Sequence, residues 1–199
     1  MARIITFCFL IAITVGFYSS CKNTSTGNTT AAAACDTAQY KQKESYSAHY
    51  HFCYPRSWKT LPPNQYFDEY VGESFADSTS QYKKIFSLRL EATTNGKATF
   101  GNFKQYLDSS RTLINTYITN VRIRTDKDTT WNNLAAHIFE FTGTIFNRPL
   151  WTSQLIIDGE KYNYFYVLNF QQRLDDPDGS DYDLKSRNDI FNSFALKEQ

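Results

Sequence analysis

Apolar and polar side chains alternate through most of the chain from residue 45 onward. Residues 45–54 place Tyr46, Ala48, Tyr50, Phe52 and Tyr54 on one side and Ser47, His49, His51 and Cys53 on the other. That period of two predicts a half-buried strand. Pro55 closes it, Trp58 follows in a turn as a large aromatic anchor, and 61–63 continue as loop. Residues 85–90 alternate again, after a weaker strand pattern over 69–75. The period then changes: Phe103, Tyr106, Leu107, Ser110 and Ile114 recur at three and four residues. This predicts a helix with one apolar stripe and Thr99 as its cap. Val121, Ile123 and Thr125 return to a period of two, 126–130 reads as a polar turn, and Trp131 marks where a strand resumes.

The strongest strand patterns are 135–145, 150–157 and 161–170. They are joined by Asn147-Arg148-Pro149 and by Asp158-Gly159, the latter a favoured type I′ turn pair. The result is a meander whose third strand is apolar on both sides, as a central strand covered twice must be. Residues 184–191 form a closing helix with Leu184, Ile190, Phe191 and Phe194 available for burial. The first part of the chain breaks from this pattern. Residues 4–18 are a continuous apolar run, too short to span a bilayer as a stable helix. Residues 22–38 are mostly Thr, Asn, Ser, Gly and Ala, with too little apolar surface to offset their ordering entropy. The predicted organisation is therefore a leader over 1–20, a flexible tether over 21–44 and one globular domain over 45–199.

Composition changes this picture little. Fourteen Tyr and sixteen Phe fit a sheet-rich α+β domain. A net charge of +1 offers no basic field for nucleic acid. There is no Gly-x-Ser-x-Gly, no His-Glu-x-x-His and no Gly-rich phosphate loop, so neither an enzyme nor a cofactor is expected.

The leader carries more information. Met1-Ala2-Arg3 is a short positive start, and the apolar run ends in Tyr18-Ser19-Ser20-Cys21. Ser19-Ser20-Cys21 resembles the lipobox of bacterial lipoproteins, with Tyr18 standing where Leu is usual. The resemblance implies that Cys21 carries acyl chains (palmitate) and anchors the protein to a membrane of the cell envelope. Lys22 after the cysteine leaves sorting to the outer membrane available, so a periplasm-facing or surface position there is favoured.

Within the domain, Phe52-Cys53-Tyr54-Pro55-Arg56-Ser57-Trp58 resembles the opening strand and turn of PsbP-like domains. Ile190-Phe191-Asn192-Ser193-Phe194 is similar to their closing segment. That group includes extrinsic proteins of photosystem II, a Ran-binding nuclear import factor and many bacterial lipoproteins. The resemblance covers residues 46–196 and implies a twisted antiparallel sheet flanked by helices, an α/β/α sandwich. It also implies an accessory role more than a catalytic one.

Several groups are candidate sites. His49, His51 and Cys53 share one side of the first predicted strand and are ligand types for zinc or copper. Cys35 and Cys53 are the pair left once Cys21 is acylated, and outside the cytoplasm such a pair is expected to oxidise. The two possibilities compete for Cys53. Residues 175–183 hold five Asp, but an EF-hand alignment puts Leu174 and Lys185 at ligand places and fails. His137 lies inside an apolar strand and reads as a satisfied structural position. Exposed aromatic residues in the loops 56–70 and 146–151 are natural contacts for a partner, with Trp58, Tyr66, Phe67 and Trp151 favoured among them. The expected function is a membrane-anchored, non-enzymatic binding or assembly module with an envelope protein as partner. The alternative is a periplasmic carrier of a small ligand or metal ion, using His49 and His51 or an apolar pocket between helix and sheet.

Overall fold

The computed structural model describes residues 35–62, 68–74, 82–99, 101–174 and 181–197. Cys21, Tyr66, Phe67 and most of the Asp-rich segment lie outside them. Ten strands and two helices follow in order: β1 Tyr40–Ser45, β2 Tyr50–Pro55, β3 Lys59–Leu61, β4 Glu69–Ser74, β5 Tyr82–Ala92, α1 Phe103–Tyr117, β6 Thr119–Trp131, β7 Leu134–Ile145, β8 Arg148–Gly159, β9 Tyr164–Arg173, α2 Leu184–Ser193 and β10 Ala195–Leu196. Seven strands form an antiparallel sheet in the order β3-β4-β5-β9-β8-β7-β6, and β1-β2-β10 form a small second sheet.

β9 sits between β5 and β8, and its alternation feeds both faces. Tyr166, Leu168 and Phe170 enter the main core with Phe52, Trp58, Phe86, Leu155 and Phe191. Phe165 and Val167 pack on the opposite face with Ile156 beneath Tyr106 and Leu107 of α1. Farther along α1, Ile114 meets Phe139 and Phe141. α2 and the small sheet cover the first face, α1 covers the second, and the expected three-layer α+β sandwich results. No helix among the described residues is long and apolar enough to cross a membrane.

Local chemistry moves several boundaries. The α1 cap is Asn102, not Thr99: its Oδ1 accepts from the Gln105 N–H at 3.0 Å, and Gln105 Oε1 accepts from the Asn102 N–H at 2.9 Å. That reciprocal pair satisfies two orphan donors, which Thr99 is too far away to do. Residues 126–130 are not a turn. β6 runs unbroken in strand pairing through them to Trp131, and the chain reverses at Asn132-Asn133, both at positive φ. Asp158-Gly159 is likewise strand. The chain turns through the 3₁₀ segment Glu160–Tyr162 to Asn163, whose N–H returns to the Glu160 carbonyl at 2.8 Å. Gly159 is glycine for a different reason: a Cβ there would lie 2.3 Å from the Tyr166 ring. Leu184, offered for burial, is 47% exposed at the start of α2.

The domain also begins earlier than expected. β1 lies within the segment assigned to the tether and pairs with β2 from Tyr40↔Pro55 to Ser45↔Tyr50. Its sequence is polar because it is an edge strand, held by backbone hydrogen bonds and not by burial. Residues 46–49 form the connecting turn, so the predicted strand over 45–54 shortens to β2.

Candidate interaction surface

One end of the large sheet is unlike the rest of the surface. Thr119 of β6 pairs with Thr144 of β7, and Ile145 pairs with Arg148 across the β7–β8 turn. Tyr117, two residues before Thr119, and Phe146, two after Thr144, therefore project past the same end of the sheet. Phe146 is 95% exposed and Tyr117 74%. Leu113 lies one helical turn before Tyr117, and Ile123 lies opposite Phe141 on the same side as α1; both are about half exposed. Of the six large apolar side chains exposed among the described residues, these are four. The charged residues of segments 113–124 and 143–150 are Arg122, Arg124 and Arg148, with no carboxylate.

Phe146 also adopts an uncommon backbone. Among the described residues, eight other than glycine have positive φ, and six of them are Asn, which tolerates that region. The exceptions are His49, whose ring packs 5.6 Å from that of Tyr162, and Phe146 at φ 49°. The equivalent position of the β6–β7 turn is Asn132. A bulky side chain in the left-handed region costs about 1 kcal/mol, and a ring left in solvent recovers none of it by packing. Phe146→Asn is thus expected to stabilise the domain by about 1 kcal/mol, read as a rise of roughly 2–4 °C in Tm.

α1 is fixed to the sheet by an ionic chain in the other half of the β6–β7 hairpin. Arg111 spans the Asp126 carboxylate with Nε to Oδ2 at 3.0 Å and Nη2 to Oδ1 at 2.7 Å, and reaches Asp108 at 2.9 Å. His137, buried on β7, holds Asp126 at 2.7 Å through Nε2 and Asp128 at 2.8 Å through Nδ1. Asp126 and Asp128, two residues apart on β6, thus share the face that α1 covers. The Arg111 guanidinium holds the Asp126 carboxyl below its ordinary 3.8 against the opposing effect of burial, and His137 adds a smaller lowering. A carboxyl with a lowered folded pKa contributes stability above its unfolded value and loses it as pH falls through the folded one. The Tm advantage of the native chain over Asp126→Asn is therefore expected to be full above pH 3.8 and to shrink on acidification below it, measurable by thermal melts across acidic buffers.

The residues nominated from sequence fare differently. Cys35 and Cys53 are joined as a disulfide with their Cα atoms 5.9 Å apart. Cys53 is consequently no metal ligand. His49 turns away at positive φ before β2 begins, so the three side chains do not share a strand face. Burial lowers the His51 imidazole pKa below its ordinary range. Among the described residues no three His, Cys, Asp or Glu are placed to hold a metal ion. Trp58 and Trp151 are 2% and 1% exposed, in ring contact with Phe170, and are core residues unavailable to a partner. The space between α1 and the sheet is filled by Tyr106, Leu107, Ile114 and their sheet contacts, which removes the expected apolar pocket there. A groove of about 570 Å³ instead opens at the start of α2, between Lys83, Arg173, Tyr182 and Lys185. Phe146 lies in the loop 146–151 expected to carry exposed aromatic contacts, but neither it nor Tyr117 was singled out. The one sequence signal was Phe-Asn standing between two strand patterns, where Asn-Gly is usual.

No protein-family profile and no curated protein matches the sequence. Solved structures do match the fold. The solution structure of cyanobacterial PsbP from Synechocystis is similar with a TM-score of 0.56 at 12% identity, covering 82% of this chain and 97% of that one. The Ran-binding protein Mog1p of Saccharomyces cerevisiae gives 0.53 at 12% identity, over 79% of this chain and 95% of that one. LpqN of Mycobacterium tuberculosis, involved in cell envelope biogenesis, gives 0.54 at 10% identity, over 80% and 86%. At such identities the likeness establishes the PsbP/Mog1-like fold alone.

Proposed function

We propose that this chain is a lipid-anchored, non-enzymatic accessory module of the cell envelope, tethered through Cys21 and working by contact through the end of its sheet that carries Phe146. The observation that carries the reading is the gathering of Leu113, Tyr117, Ile123 and Phe146 on segments without a carboxylate. An uncovered apolar face of this kind marks an interaction site. The Cys35–Cys53 bond supports an oxidising compartment, as the ending Ser19-Ser20-Cys21 does, and an envelope protein shares the fold.

Two measurements test it. Palmitate incorporation should occur in the native chain and vanish in Cys21→Ser; label that is independent of Cys21 sinks the anchor. A photo-crosslinking amino acid at position 146 should capture an envelope component in native membranes, and capture no better than at exposed Tyr46 sinks the contact face. Turnover by the purified chain on a hydrolase panel would overturn the non-enzymatic role. The groove at the start of α2 supports a second reading as a small-ligand carrier, since about 570 Å³ suits a small molecule. Mass spectrometry of the purified protein would favour it by finding a bound compound.

A further inference from the structure

We infer that the component met by this end is the bilayer surface itself, with Phe146 entering the interfacial layer and Arg148 facing anionic lipid headgroups. The inference rests on the envelope-contact reading above and names its partner.

Shape is the first argument. Phe146 is the apex of a two-residue hairpin turn, with nearly its whole ring in solvent. A projecting ring needs a matching pocket to bind a folded protein, whereas a fluid interface admits it without one. Aromatic side chains favour that layer because a flat apolar body can enter it without leaving polar groups behind.

Charge is the second. The described charges beside the apolar group are all arginines, and a cation with a long apolar stem can reach phosphates while its carbons lie along the acyl boundary. Arg148 follows the turn directly and is exposed. The exposed carboxylates of the same β6–β7 hairpin, Asp126 and Asp128, lie in its other half, where Arg111 and His137 engage them. Arg148, at the turn itself, is therefore the cation that an anionic surface meets beside Phe146.

Cost is the third. Apart from His49, the other non-glycine residues at positive φ among those described are all Asn, yet the chain keeps Phe at 146. Strain that the fold does not use is explained by a contact made outside the fold. Tyr117 adds a second ring at the same level, and α1 is held in register by Arg111 so that both rings reach the surface together.

The test uses the full chain carrying Phe146→Trp, mixed with vesicles of phosphatidylcholine and phosphatidylglycerol in equal parts with brominated acyl chains. A full chain carrying Tyr46→Trp is the control, because Tyr46 is exposed but belongs to the turn between β1 and β2. Native Trp58 and Trp151 are buried and Trp131 is partly buried, and all three contribute equally to both. Tryptophan at 146 should be quenched roughly twofold more than tryptophan at 46. The difference should diminish when Arg148→Gln is added or salt is raised. Equal quenching of the two overturns the inference, as does crosslinking at 146 that captures a protein and no lipid. Palmitate labelling of Cys21, scored on the same preparations, reports the anchor separately, so its failure and that of the hairpin contact give different signals.

Discussion

Trp151→Ala is expected to destabilise the domain by about 3–5 kcal/mol, a fall of roughly 6–20 °C in Tm. The indole is 1% exposed near the start of β8, with its ring 5.7 Å from that of Phe170 and 5.0 Å from that of Tyr182. Arg187 of α2 lies over it at 5.9 Å and reaches on to Glu140 at 2.8 Å. Removing the ring opens a cavity where α2, β8 and β9 meet, and close packing leaves the neighbours little freedom to fill it. Trp151→Phe should cost much less. It keeps an aromatic ring and removes an indole N–H that has no acceptor among the described residues. Thermal melts of both variants decide the matter. Unchanged Tm in Trp151→Ala would return this residue to the surface and to the partner role expected from sequence.

Loss of the Cys35–Cys53 bond is expected to cost about 3 kcal/mol, lowering Tm by roughly 6–12 °C. The cysteines are 18 residues apart in sequence, and the bond limits the unfolded chain by closing that loop. The folded state should survive reduction. β1 keeps its ladder to β2, and Arg56 still donates from its backbone to the Gln39 carbonyl at 2.9 Å. Melts with and without reductant read the cost, and Cys35→Ser should reproduce the reduced value within error. A native Tm insensitive to reductant would show that the bond does not constrain the chain.

Burial decided what the sequence revealed. β9 was legible because Phe165 and Val167 alternate with Tyr166 and Leu168 and both sets are buried; α1 was legible from its stripe of Tyr106, Leu107 and Ile114. β1 and the middle of β6 were not. Both are edge strands whose side chains meet water or charged partners, so no apolar period announces them, and Asp126 and Asp128 looked like turn residues while serving Arg111 and His137. Gly159 misled for a related reason. It answers the approach of Tyr166 from across the sheet, a contact that local sequence does not contain.

The interaction surface was legible only in part. The loop 146–151 reads as a place for exposed aromatic residues, but nothing local says whether Phe146 or Trp151 stays outside. Tertiary packing decides it: the tryptophans fill the space around Phe170, and the ring left outside is Phe146. The metal reading failed at His49, because alternation was extended across a turn that the sequence does not mark.

The Cys35–Cys53 bond has a mechanical consequence. Tension applied to the N-terminal end of the chain would otherwise peel β1 from β2 one rung at a time, starting at the Tyr40↔Pro55 end. The crosslink instead delivers the load to Cys53, inside a strand that α2 grips through Ser193, whose Oγ accepts from the Cys53 N–H at 2.8 Å. Force then enters the body as shear across a buried layer, and the edge strand is spared unzipping.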